Sequence, residues 1–130
     1  MKLEDQVCSL ELAKKLKELG VKQESLWYWE LIKKGIEFDG RKSDKDKITI
    51  VRREVFKDKY VEYFSAFTVA ELGEMLKPQG HQLPVWSKKY GVFHSDCGGF
   101  FGSVWIQDKI ESNARAKMLI HLIEKEIVKP

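Results

Sequence analysis

The side chains best suited to chemistry gather around a histidine and a cysteine. His94-Ser95-Asp96-Cys97 sets an imidazole and a thiol three positions apart, with His81 and Cys8 as further candidate ligands. A structural zinc site takes four such ligands, usually as two closely spaced pairs, and this chain offers one pair. The same residues can be drawn as nucleophile and base, Cys97 with His94 or His81, or Ser95 beside Asp96. A chain with three histidines supplies such pairs by chance, and Gly98-Gly99 after Cys97 is what a turn requires. No phosphate-binding loop, dinucleotide fingerprint or nucleophile elbow stands beside them. The expectation is no catalytic residue, no metal and no cofactor, and the plain reading is a hairpin with a solvent-facing histidine and a small, semi-buried cysteine.

A second constellation suits binding. Trp86, Lys88, Lys89 and Tyr90 interleave aromatic and basic side chains in a proline-flanked stretch. Tryptophan and tyrosine are frequent anchors of protein interfaces, and the same mixture can stack on and neutralise single-stranded nucleic acid. The alternative is that Trp86 folds back as the lid of a small core. Lys14, Lys15, Lys17 and Lys22 read most simply as a solvated helix face.

The elements that must position these groups follow from periodicity. Residues 9–19 place Leu12, Leu16 and Leu19 on one helical face, and Gly20 supplies the stop. Residues 25–32 are aromatic and apolar at consecutive positions, which a strand covered on both faces accommodates. Residues 35–47 are turn-forming and charged, an exposed loop joining two strands. Strands are expected around Ile48 to Val51 and across residues 60–67, with Asp58-Lys59 as a tight turn after Val55-Phe56. Thr68-Val69-Ala70-Glu71 matches a capping box, so a short helix should run to Leu76. Pro78, Gly80 and Pro84 make residues 77–89 the most irregular stretch and a mobile loop. Residues 93–106 read as a hairpin turning at Cys97-Gly98-Gly99, with its second strand over residues 100–106. Residues 112–128 form the strongest helix, with Ala116, Leu119, Ile120, Ile123 and Ile127 on its buried face. The sum is one α+β domain over residues 1–130: an antiparallel sheet of about five strands with three helices in a single layer on one face.

Composition fits that build. Of 130 residues 43% are hydrophobic and 33% charged, enough for one core and unlike a disordered or collagen-like chain. A net charge of +3 is too mild to imply a polyanionic partner. Two cysteines, Cys8 and Cys97, without a secretory context suggest a reducing cytoplasm. No run approaches the roughly 18 consecutive apolar residues of a membrane span, and the acidic start, Met1-Lys2-Leu3-Glu4-Asp5, is unlike a signal peptide.

Two resemblances bear on function. Leu12-Ala13, Leu19-Gly20-Val21 and Leu26-Trp27-Tyr28-Trp29-Glu30 resemble the helix-turn-helix of mercury-resistance-type transcriptional regulators. There a recognition helix would have to present polar groups to base edges; here Lys22, Gln23, Glu24 and Ser25 precede an apolar run, and Trp27 stands where those regulators carry arginine. Separately, residues 8–25 (CSLELAKKLKELGVKQES), 66–76 (AFTVAELGEML) and 114–124 (ARAKMLIHLIE) resemble a family of small uncharacterised proteins typical of bacteriophages and prophages; the blocks cover 40 of the 130 residues. That resemblance implies a bacterial cytoplasm and an accessory role in a mobile element, and it transfers no catalytic or binding residue. The expectation is thus a non-enzymatic protein-interaction module that meets a protein partner through Trp86, Lys88, Lys89 and Tyr90. Nucleic-acid binding, by the helix-turn-helix-like segment or the basic-aromatic loop, is the alternative.

Overall fold

The computed structural model describes residues 2–130 except 36, 39–40, 43, 53–60, 77–83 and 97–104. After a 3₁₀ turn at Leu3–Asp5 come α1 (Leu10–Glu18), β1 (Tyr28–Ile32), β2 (Glu37–Phe38), β3 (Arg41–Lys42), β4 (Lys47–Val51), β5 (Val61–Ser65), α2 (Val69–Leu76), β6 (Val85–Ser87), β7 (Val92–Asp96), β8 (Trp105–Asp108) and α3 (Glu111–Glu124).

Local chemistry sets the helix ends. The Ser9 hydroxyl accepts from the Leu12 amide at the start of α1, and Gly20, at φ +90°, ends it in the conformation that costs a glycine least. The capping box forms as expected: the Glu71 amide donates to Thr68 Oγ1 at 3.2 Å and the Thr68 amide to Glu71 Oε1 at 3.1 Å. α3 is shorter than its apolar stripe suggests. It stops at Glu124, Glu126 turns left-handed at φ 58°, and the chain swings Val128 inward while Ile127, expected on the buried face, stays 53% exposed.

The strands pair in a way that departs from one sheet of about five. Two separate three-stranded antiparallel sheets form, ordered β4-β1-β5 and β6-β7-β8, with β2 and β3 as a short ribbon inside the expected loop between β1 and β4. The first sheet ends at β5 for a visible reason. Lys17 Nζ donates to the Tyr63 carbonyl at 3.0 Å, Gln23 Oε1 accepts from the Ser65 amide at 2.8 Å, and just beyond the strand the Cys8 amide donates to the Phe67 carbonyl at 2.9 Å. The backbone groups that a further strand would use are already bonded.

The helices do not form one layer over one sheet. α3 packs against α1, α2, β7 and β8, α1 lies on β5, and α2 rests on α3. One core runs through this arrangement: Leu16, Phe67, Leu72, Leu76, Met118 and Leu122 are fully buried, with Leu31 and Phe64 from the first sheet and Ile106 from the second packed on them. The α2–α3 contact is close because Gly73 has no side chain; the Arg115 guanidinium occupies that space, donating to the Val69 carbonyl at 3.0 Å and to Glu111 at 2.7 Å.

β1 accounts for its own unbroken apolar run. It is the central strand, with Trp29 and Leu31 facing the main core and Tyr28 and Ile32 packing on the far side with Val51, Val61 and Tyr63. The helix-turn-helix likeness therefore does not extend to structure, since its recognition helix is this strand and the approach to it. The polar residues that would have faced bases are engaged in the fold: Gln23 holds Val21 and Ser65, Ser25 reaches Glu71 at 3.0 Å, and exposed Lys22 and Glu24 pair with each other at 3.1 Å.

Candidate functional site

The expected irregular loop contains, from Val85 on, an ordered hairpin. β6 pairs with β7 in the register Val85↔His94, Trp86↔Phe93 and Ser87↔Val92. Residues 88–91 make the turn: the Gly91 amide donates to the Ser87 carbonyl at 2.9 Å, the Tyr90 amide to the Ser87 hydroxyl at 3.3 Å, and Gly91 takes φ +63°. A serine that bonds the turn twice and a glycine at its left-handed position are sufficient local reasons for the chain to reverse here. Residues 77–83, with His81, lie outside the described residues.

This hairpin brings Trp86, Lys88, Lys89 and Tyr90 together on one projection. Trp86 packs edge-to-face on Phe93, ring centroids 5.0 Å apart, yet remains 50% exposed. It is braced by its cross-strand neighbour without being sealed as a lid. Tyr90 is 63% exposed and Val85 47%, while both lysines point to solvent. Lys89 Nζ sits 5.2 Å from the centre of the Tyr90 ring, a cation–π contact that orients both side chains. Of the six large hydrophobic side chains that stand exposed among the described residues, three belong to this short segment. Preordered aromatics lose little conformational entropy when another surface covers them, so this is where burial by a partner would yield the most.

Phe93 joins the hairpin to a cleft of about 600 Å³ between the starts of α2 and α3, lined also by Thr68, Val69, Ala70 and Ile110. Asp5, Gln6 and Lys109 also line it, and two of its other polar residues are bound into the fold. Thr68 is held by Glu71, and Glu111 by Arg115. The cleft is thus a largely apolar recess beside the hairpin, with Asp5 and Lys109 as the charged residues of its lining that form no ion pair with a described residue.

The remaining candidates stay apart or fall outside view. His94 lies half-buried on β7, paired in register with Val85 and Gln107. Cys97 lies outside the described residues, so the His94–Cys97 and His81–Cys97 pairings and the approach of Cys8 to Cys97 do too. Cys8 itself is fully buried, and burial pushes its thiol up to about 12, which keeps it protonated at neutral pH. Among the described residues, no group of three or more His, Cys, Asp or Glu side chains is placed to hold a metal ion. Nor is any described helix long and apolar enough to cross a membrane.

Sequence reasoning missed one polar cluster. Glu30, only 6% exposed at the centre of β1, accepts from the Tyr63 hydroxyl at 3.0 Å and from Thr49 Oγ1 at 3.4 Å. The signal was present as a single carboxylate inside an otherwise apolar strand. Its partners come from the two flanking strands, so the cluster locks the register of β4 and β5 on β1. Comparison of the chain with protein families, with curated proteins and with solved structures yields no match.

Proposed function

We propose that this chain is a non-enzymatic interaction module whose β6–β7 hairpin contacts a protein partner through Trp86 and Tyr90, with Lys88 and Lys89 selecting for negative charge. The observation that carries the reading is the exposure of Val85, Trp86 and Tyr90 together on one braced hairpin, whereas the other exposed large hydrophobic side chains among the described residues, Leu26, Ile48 and Ile127, stand singly along the sequence. A phage or prophage setting is supported by the three resembling sequence blocks alone, and a cytoplasmic one by cysteine usage.

Nucleic acid is the weaker occupant. The Tyr90 ring face that a base would stack on carries Lys89, and the polar residues of the helix-turn-helix-like segment are engaged elsewhere. The test compares the chain with its W86A/Y90A variant, each immobilised and exposed to lysate of phage-infected bacteria, alongside thermal melts. The reading expects a captured protein that the variant loses while its melting temperature holds within a few degrees. A gel shift that weakens steeply with salt would overturn it in favour of nucleic acid, and equal capture by both chains would overturn the assignment to the hairpin.

A further inference from the structure

The two three-stranded sheets have four outer edges, and side chains close two of them. On β5 the Tyr63 carbonyl and Ser65 amide are taken by Lys17 and Gln23. On β8 the Gln107 carbonyl accepts from Lys117 Nζ at 3.3 Å, and Lys117 is itself held by Asp108 at 2.7 Å. β4 has no such bond from a described residue and leaves Ile48 48% exposed, but it opens on Lys47 after the run Asp44-Lys45-Asp46, where a charge at the strand end discourages pairing and the alternating signs favour neither an acidic nor a basic segment. β6 differs. Among the described residues it pairs with β7 alone, and no side chain reaches the backbone of Val85 or Trp86. Val85 and Trp86 point to opposite faces, and each is about half exposed, so an added strand would find an apolar neighbour on both faces.

Charge specifies what such a strand would carry. Residues 84–94 contain no carboxylate, and neither Lys88 nor Lys89 forms an ion pair with a described residue. Both ammonium groups sit at the turn, beside the end of β6. Building on the reading of the hairpin as a partner surface, we propose that β6 accepts an extended, acidic segment of the partner protein as an additional strand. Backbone hydrogen bonds to β6 hold the segment, Val85 and Trp86 flank its side chains, and its carboxylates lie alongside Lys88 and Lys89.

The test is selection from a random ten-residue display library on the full chain and on its K88E/K89E variant, whose changes fall in an exposed turn and whose folding is checked by a melt. Peptides enriched on the unaltered chain should lack proline, alternate β-branched or aromatic residues and carry Asp or Glu. The variant should enrich Lys and Arg in their place. A synthetic copy of the leading peptide should slow amide hydrogen exchange in β6 by at least about tenfold. No enrichment, an acidic preference that survives the charge reversal, or protection confined to other elements would each overturn strand addition. So would β6 amides already protected in the free chain with a dimeric mass, which would make a second copy the occupant. Loss of partner capture in W86A/Y90A together with unprotected β6 amides in the complex would keep the hairpin as the partner surface while rejecting the added strand, so the two readings fail separately.

Discussion

The two sheets of this protein treat their polar groups in opposite ways. At the centre and the β5 edge of β4-β1-β5 they are tied down: Glu30 is held by Tyr63 and Thr49, and the β5 edge by Lys17 and Gln23. In β6-β7-β8 the first strand and its turn leave two aromatics and two lysines facing outward. Both sheets meet the same core through α1 and α3, so the difference is not one of folded against loose. It separates a scaffold, where substitutions should change stability, from a presented surface, where they should change binding.

Breaking the scaffold should produce the largest effects. Phe67→Ala removes a fully buried ring from the central core and should lower unfolding free energy by about 3–5 kcal/mol in urea titrations. Tyr63→Phe takes one donor from the buried Glu30 carboxylate and should cost about 1–3 kcal/mol by the same measurement. Thr68→Ala opens the capping box of α2 and should cost about 1 kcal/mol, visible also as faster amide exchange in the first turn of that helix. On the presented surface, W86A/Y90A should change stability by less, about 1 kcal/mol or under, through the lost contact with Phe93, while abolishing partner capture. A stability loss as large as that of Phe67→Ala would erase the distinction between the two regions.

The smallest effect at neutral pH comes from Cys8. Its thiol titrates near 12 in the fold against an ordinary value of 9.0, because burial penalises the thiolate. Above about pH 9 the unfolded chain releases a proton that the folded chain retains, so the stability contributed by the neutral thiol is complete below that pH and declines as pH rises toward 12. Urea midpoints at about pH 8 and about pH 10 should therefore fall further in the unaltered chain than in Cys8→Ala.

What the sequence disclosed was mostly local. The capping box needs residues three apart, Gly20 needs only its own φ, and three adjacent aromatics sufficed to favour a strand for β1 over a recognition helix. Pairing across the chain was not legible. Nothing in residues 61–65 announces that Lys17 and Gln23 will close the outer edge of β5, and that closure divides the strands into two sheets. The candidate surface was legible as composition, but its ordering was not, since Pro84 and the earlier breakers suggested a mobile loop where Ser87 and Gly91 build a turn. Ile127 was misplaced because periodicity continues past Glu124 although the helix does not.

On the proposed reading the partner meets the hairpin, and not exposed apolar surface in general. Exposed apolar side chains elsewhere supply the control, because Leu26 at 66% and Ile127 at 53% are as accessible as Tyr90 at 63%. A photo-crosslinking residue placed in turn at positions 90, 26 and 127, with illumination in phage-infected cells, tests it most directly. A discrete protein adduct is expected from position 90 and none from positions 26 and 127. Adducts from position 26 or 127 without one from position 90 would contradict it.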